Sequence, residues 1–255
     1  MRKLRFLVCL LALAGVPSAL YAQINAASAK AGLPAGESIM DRFVEATGGV
    51  EAYKKLNNVG MKGSVDMTAM GIKGDVTIYS AAPNLNLTEM TIPGLGKMQE
   101  GVDGKLAWSY NAMQGPSIKS GAEAEQELNS AHFRTEEWRT QYSRVETQGL
   151  DSVDGEECYR VMLTPKAGPP IFNCYSRNSG LLLKSTITTI SEMGTMEVDT
   201  ILRNYKKVGD FTMPFQLVQG VAGMTVTINF SEITFNADIP MSIFDPPAEV
   251  KALIK

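Results

Sequence analysis

The sequence has few of the side chains from which enzyme sites are usually built. Its 255 residues include one histidine, His132, and three cysteines. A zinc site needs about three protein ligands, often in H-E-x-x-H, and a serine hydrolase of the Ser–His–Asp type places its serine in G-x-S-x-G. Neither pattern occurs. We therefore predict a non-enzymatic protein without cofactor or metal, in which His132 is an ordinary surface or capping residue.

The sequence also lacks an apolar run long enough for a transmembrane helix. The run over residues 6–16 follows a basic N-terminus and is shorter than the roughly 20 residues that a span needs. Pro17 ends it, and small residues follow as far as Ala22, which predicts a secretory signal peptide over residues 1–22. Cys9 lies inside the apolar run and not at the cleavage site, so a lipoprotein signal is not expected. The protein is predicted to be periplasmic, with no stable membrane insertion.

An excess of positive charge is missing as well. The whole chain has a net charge of −3, and loss of the three basic residues of the signal peptide leaves 21 basic against 27 acidic residues, or −6. A chain with this charge is a poor candidate for binding nucleic acid or anionic lipid surfaces, so we predict no nucleic-acid partner. The segment 23–36, rich in Ala, Ser and Gly, is predicted to be a flexible leader before a single domain over residues 37–255.

Short β-type runs separated by turn signals dominate the exported part. Residues 158–163, 171–175, 181–190 and 195–205 follow one another closely, whereas a parallel crossover needs a dozen residues or more, so these strands must be antiparallel. We count about ten strands, with Gly115-Pro116 ending one and residues 239–247 closing the sheet. Because a sheet of this width curls, the predicted fold is mainly β (α+β), a curled antiparallel sheet that forms an unclosed β-barrel.

Two pairs of short helices interrupt the strand pattern. Residues 38–56 predict the first pair, with Ser38 as the N-cap and Gly48-Gly49 between the helices. Residues 122–131 and 135–142 predict the second pair, and residues 248–254 a final helical turn. Each pair needs apolar surface to pack on, so we expect the helices to lie across the mouth of the barrel.

The apolar positions of the alternating strands are the candidate ligand-binding residues. Side chains two positions apart on a strand share a face, so each set faces either the interior of the barrel or the packed helices, and the pattern does not separate the two. Methionine suits a surface for variable apolar shapes, and it also fills ordinary cores. The candidates are Val65, Met67, Val76, Ile78, Leu85, Leu87, Trp108, Tyr110, Met196, Val198, Met224, Val226 and Ile228.

Export would leave two cysteines in a compartment where disulfides form. Cys158 and Cys174 flank the turn over residues 164–170 almost symmetrically, so a hairpin would bring them nearly opposite each other. We predict a cross-strand disulfide. The alternatives are two buried thiols and, least favoured because C-x-x-C is absent, a redox-active pair.

Several segments together carry a family resemblance. They are residues 39–52, Asp103-Gly104 with Trp108, residues 159–161 with 164–166, residues 179–184, and residues 204–209 with Pro214. In these segments the chain resembles exported bacterial proteins of the outer membrane lipoprotein-sorting class, similar in fold to the periplasmic lipoprotein carriers of the Lol system (LolA/LolB-like). The resemblance implies an unclosed β-barrel with helices across its mouth and an apolar hollow that holds acyl chains.

Two functions are consistent with these features. In the first, the protein binds lipid or lipoprotein acyl chains in the half-barrel cavity, serves lipoprotein sorting or transport, and meets an envelope protein partner. In the second, it is a non-catalytic structural or interaction module of the cell envelope whose interior is filled by its own side chains. An interior cavity favours the first function and a filled interior the second.

Overall fold

Thirteen strands form one antiparallel sheet. In spatial order they run β6-β5-β4-β3-β2-β1-β13-β12-β11-β10-β9-β8-β7, so β6 and β7 are its edges and the sheet is not closed into a barrel. The strands are β1 Asn58–Met67, β2 Ile72–Ala81, β3 Leu85–Ile92, β4 Gly96–Asp103, β5 Ala107–Asn111, β6 Gly115–Ile118, β7 Tyr142–Val153, β8 Glu156–Pro165, β9 Ile171–Ser176, β10 Leu182–Ser191, β11 Gly194–Val208, β12 Phe211–Val221 and β13 Met224–Phe235. The predicted mainly β, unclosed antiparallel architecture is confirmed.

The computed structural model describes residues 32–191, 194–221 and 223–254. Pro34–Lys255 forms one compact unit. The predicted signal peptide, residues 1–22, lies outside the described residues, and so does most of the predicted leader.

The predicted number of strands, about ten, is too low. Gly115-Pro116 does not end the strand region but begins β6, an edge strand, where a proline without an N–H is tolerated. The tail over residues 239–247 does not close the sheet, since its residues Met241–Phe244 form a 3-10 helix.

Both predicted helical pairs are present. The helices are α1 Gly36–Thr47, α2 Val50–Lys54, α3 Gly121–Ser130, α4 Trp138–Gln141 and α5 Ala248–Lys251, with further 3-10 helices at Thr68–Met70 and Thr135–Glu137. In the part of the chain that the structure covers, no helix combines the length and the apolar character needed to cross a membrane.

The start of α1 differs from the prediction. The helix begins at Gly36, inside the predicted leader, and Ser38 is an exposed residue of its first turn and not its cap. Gly36 is required by close packing, because a Cβ atom there would lie 2.9 Å from the carbonyl carbon and oxygen of Val145 in β7. The end of α1 is as predicted: Gly49, with a φ of 83°, donates its N–H to the carbonyl of Val44.

Two apolar clusters occupy the face of the sheet that carries α1 and α2. The first packs the helices on β7–β9 and β12 and includes Met40, Trp138 and Tyr175. The second covers β1, β2, β12 and β13 around Val65 and Phe230. Phe133, Met213 and Phe235 pack against both clusters, so the two form a continuous interior. The members are Ile39, Met40, Val44, Tyr53, Leu56, Trp138, Val145, Val161, Leu163, Tyr175 and Phe211 in the first, and Val59, Val65, Val76, Ile228, Phe230 and Ile233 in the second.

A third cluster lies on the opposite face of the sheet. Along β2, Tyr79 packs against the third cluster and Ala81 belongs to it, whereas the neighbouring phase, with Val76 and Ile78, belongs to the second. Side chains one position apart on a strand point to opposite faces. The C-terminal segment covers this outer face through Phe244 and Val250.

The predicted disulfide is confirmed. Cys158 of β8 and Cys174 of β9 are bonded, with their Cα atoms 5.4 Å apart. The register pairs Cys158 with Ser176 and Cys174 with Arg160, so the half-cystines are diagonal neighbours and not directly opposite.

Candidate ligand cavity

A cavity of about 760 Å³ remains beside the packed clusters. Its walls come from α3 and the residues after it, from the junction of α4 with β7, from the β8–β9 loop over residues 166–170, and from β10. Leu128, Tyr142, Ile171 and Ile187 supply much of its apolar surface. The volume lies within the roughly 300–1,000 Å³ typical of small-molecule sites.

The side chain of Gln126 fixes α3 to β10. Its Nε2 donates to the carbonyl of Thr188 at 2.6 Å, and its Oε1 accepts from the N–H of Ile190 at 2.9 Å. β9 begins at Ile171, and its pairing with β10 extends only to Thr186, so the next backbone groups of β10 have no strand partner on that side. The side-chain amide thus takes the place of a pairing strand. This contact matters for the position of α3, because none of the residues of that helix is fully buried.

An ion pair connects α4 to α1. Arg139 donates through both terminal nitrogens to the two carboxylate oxygens of Asp41, each at 2.8 Å, and Trp138 Nε1 donates to Asp41 Oδ1 at 3.3 Å. The hydrogen bond from Arg139 is the main reason that the pKa of Asp41 is lowered. Because α4 leads directly into Gln141 and Tyr142, this contact positions one wall of the cavity.

We expect Asp41→Asn to lower the free energy of unfolding at neutral pH by less than about 1 kcal/mol, since both partners are half exposed. The folded-state pKa of Asp41 is lowered, so its contribution is present above the unfolded value near 3.8 and is lost as the pH falls through the folded value. Urea titrations of both proteins at pH 7 and in acid measure this. A difference between them that grows on acidification would contradict the assignment.

Ionisable groups are sparse in the lining. Among the residues that the structure describes, its basic side chains are Lys166 and His132, and none of the described lining residues is Asp or Glu. Burial raises the pKa of the Tyr142 phenol, so this side chain is neutral at physiological pH. Over the described ranges, no three His, Cys, Asp or Glu side chains form a group that could hold a metal ion.

Comparison with known proteins identifies the architecture. No protein-family model matches the chain, and no curated protein does. Among solved structures, a LolA superfamily protein from Nitrosomonas europaea matches 84% of this chain and 99% of its own, with 13% identity and a TM-score of 0.57. The chain has a LolA-like fold. An outer membrane lipoprotein-sorting protein domain from Vibrio parahaemolyticus matches 81% of this chain and 97% of its own, with 12% identity and a TM-score of 0.52.

A third solved structure with a similar fold comes from a differently named family. A DUF1329 family protein from Desulfovibrio piger has 13% identity and a TM-score of 0.57, and the match covers 84% of this chain and 98% of that one. At such identities a likeness establishes the LolA-like fold alone, and the function must be argued from the cavity.

The thirteen candidate residues lie elsewhere in this LolA-like fold, and none of them lines the cavity. Six of them on β1, β2 and β13 pack in the second cluster, on the same face as the helices: Val65, Met67, Val76, Ile78, Val226 and Ile228. Four others pack in the third cluster, on the outer face: Leu85, Leu87, Trp108 and Tyr110. A direct ligand contact for any of them stays a prediction.

The remaining three candidates lie toward the hairpin ends of β10–β13. Val198 is directly opposite Ile187, a cavity residue, and Met196 is opposite Thr189. Met224 is 47% exposed at the start of β13. Of the lining residues, Ile187 carried a sequence signal, because it is an apolar residue between the threonines of β10. Leu128 and Ile171 carried none, since their place depends on how α3 and the β8–β9 loop pack.

Proposed function

We propose that the protein is exported to the periplasm and there binds lipid, or the acyl chains of a lipoprotein, without catalysing a reaction. The observation that carries the proposal is the cavity of about 760 Å³ left open between α3, the β8–β9 loop and β10. The LolA-like fold supports it, since one solved structure with this fold is described as a lipoprotein-sorting domain. A role in lipoprotein sorting or transport would add an envelope protein partner that delivers or receives the ligand.

Apolar burial supplies the binding energy in this proposal. Each methylene group moved from water into the cavity contributes about 0.8 kcal/mol, so affinity should rise with acyl chain length until the cavity is full. Specific polar contacts are not needed for this part of the affinity.

The filled-interior alternative keeps one observation in its favour. The two clusters on the helix-bearing face are occupied by the protein's own side chains, including six of the candidate residues. An interaction module of the envelope would use the outer surface of the fold and would bind no apolar probe.

Ile187→Trp tests the cavity directly. The larger side chain should occupy part of the cavity and weaken binding of the neutral fluorescent probe N-phenyl-1-naphthylamine by about tenfold, the equivalent of about two methylene groups. Ile190→Trp is the matched control, because Ile190 lies on the same strand with its side chain in the other phase and does not line the cavity. Wild-type protein that binds neither the probe nor fatty acids would support the alternative.

A further inference from the structure

The charge of the cavity lining differs from that of the chain. Acidic residues outnumber basic ones by 27 to 24 in the sequence, yet the described part of the lining includes Lys166 and the sole histidine, His132, and no Asp or Glu. A cavity that served only an acyl chain would need neither basic group. The charge of Lys166 would complement a ligand with a polar end of negative charge.

Lys166 has no acidic partner in the described structure. None of the ion pairs within 4.0 Å in residues 32–191, 194–221 and 223–254 includes its ammonium group. It is exposed at the start of the β8–β9 loop, and its backbone N–H is held by the carbonyl of Gln141 across the cavity wall. The charge is thus available to a ligand at the rim.

His132 presents a second unsatisfied group. Its Nε2 is buried and has no hydrogen-bond partner among the described residues. The nearest carboxylate oxygen, Glu137 Oε2, is 3.9 Å away, which is too far for a hydrogen bond, and Glu137 is half exposed outside the lining. The nitrogen is closed to solvent, so a ligand atom can bond to it only after the imidazole turns toward the cavity, and such a bond would remove the cost of an unpaired buried polar atom.

The apolar lining residues supply the complementary half of the site. Leu128, Ile171 and Ile187 offer contact to a hydrocarbon chain, while Lys166 offers positive charge and His132 a ring nitrogen for a hydrogen bond. An ammonium group binds a carboxylate or a phosphate through charge-assisted hydrogen bonds, which are about twice as strong as neutral ones.

We propose, resting on the acyl-binding function above, that the ligand is an anionic single-chain amphiphile. Its hydrocarbon chain occupies the cavity, and its carboxylate or phosphate binds Lys166 at the rim and, once the imidazole has turned toward the cavity, His132 in the wall. A free fatty acid and a lysophospholipid share this chemistry.

Displacement of N-phenyl-1-naphthylamine from the full-length exported protein tests the proposal. The competitors are palmitate, methyl palmitate and palmitoyl-lysophosphatidylglycerol, of which the ester alone lacks the negative charge. On wild-type protein at least one of the two anions should displace the probe at a concentration about tenfold lower than the ester does, since hydrogen bonds to charged groups are the stronger class. Whichever anion shows the preference identifies the source of the ligand.

Two variants assign the preference to its residues. Lys166→Gln should reduce the anion-over-ester ratio to about threefold or less, and His132→Leu should reduce it as well, while both retain probe binding. Lys105→Gln is the control, since it removes the same charge from the exposed turn after β4 and should leave the ratio unchanged.

The outcomes separate this proposal from the one on which it rests. Equal displacement by the anions and the ester on wild-type protein would overturn the anionic ligand but leave acyl binding intact. A preference that survives in both Lys166→Gln and His132→Leu would equally overturn the assignment. Failure of the probe and of every acyl compound to bind would refute acyl binding itself.

Discussion

Replacing Phe244 with alanine is expected to lower the free energy of unfolding by about 3–5 kcal/mol. Phe244 is 1% exposed and belongs to the third cluster with Trp108 and Val250, which are as deeply buried. The substitution would remove a ring from a site where the sheet on one side and α5 on the other limit collapse. Denaturant unfolding monitored by tryptophan fluorescence reports on this face, because Trp108 lies in it.

Met241→Ala provides the comparison for Phe244. Both residues belong to the 3-10 helix Met241–Phe244, but Met241 is 54% exposed, so its loss should change stability by less than about 0.5 kcal/mol. Similar effects of the two substitutions would show that the C-terminal segment is not packed on the sheet. The cavity lies on the other face, so Phe244→Ala should still bind the neutral probe under conditions in which it is folded.

Loss of the disulfide is the second large expected effect. The double variant Cys158→Ala/Cys174→Ala should be less stable than wild type by about 3 kcal/mol, because a cross-link that closes a loop of about 15 residues restricts the unfolded chain by that amount. Cys158 and Cys174 are 16 residues apart in the sequence, close to that loop length. Alanine is preferable to serine here, since both cysteines are buried and a hydroxyl would need a hydrogen-bond partner.

A reducing agent supplies the control for that experiment. Dithiothreitol should lower the unfolding midpoint of wild-type protein toward that of the double variant and should leave the double variant unchanged. A wild-type midpoint insensitive to the reductant, with the double variant equally stable, would show that the bond adds nothing to stability.

Much of this architecture follows from local signals. Alternation marked strands such as β2 and β13, and Gly-containing turns placed strand ends, because period-two burial and positive φ are properties of a few neighbouring residues. The prediction that residues 239–247 close the sheet was wrong for the same reason. Ile239 and Phe244 are residue types common in strands, but here they pack onto the outer face and do not pair with the sheet edge.

The cavity was beyond local reasoning. Its walls combine Leu128, Tyr142 and Ile187, which become neighbours only after α3 packs on β10 and β10 extends past β9. Phase along a strand shows which side chains share a face, but it does not show which part of that face remains uncovered. The sequence pattern therefore pointed to candidate residues on the apolar faces of strands, whereas the cavity lies where strands end and loops begin.

The contacts of Gln126 allow α3 to move away from the cavity without unfolding of the sheet. Polar contacts hold α3, namely the bonds of Gln126 to Thr188 and Ile190 and the ion pair of Glu123 with Lys119, and water can replace the two Gln126 bonds at a net cost of about 0.5–1.5 kcal/mol each, whereas α1 is held by buried apolar side chains. Thermal fluctuations should therefore release α3 far more often than they disturb the sheet. Ligand exchange can then proceed at a rate set by these few polar contacts, on a timescale independent of global unfolding.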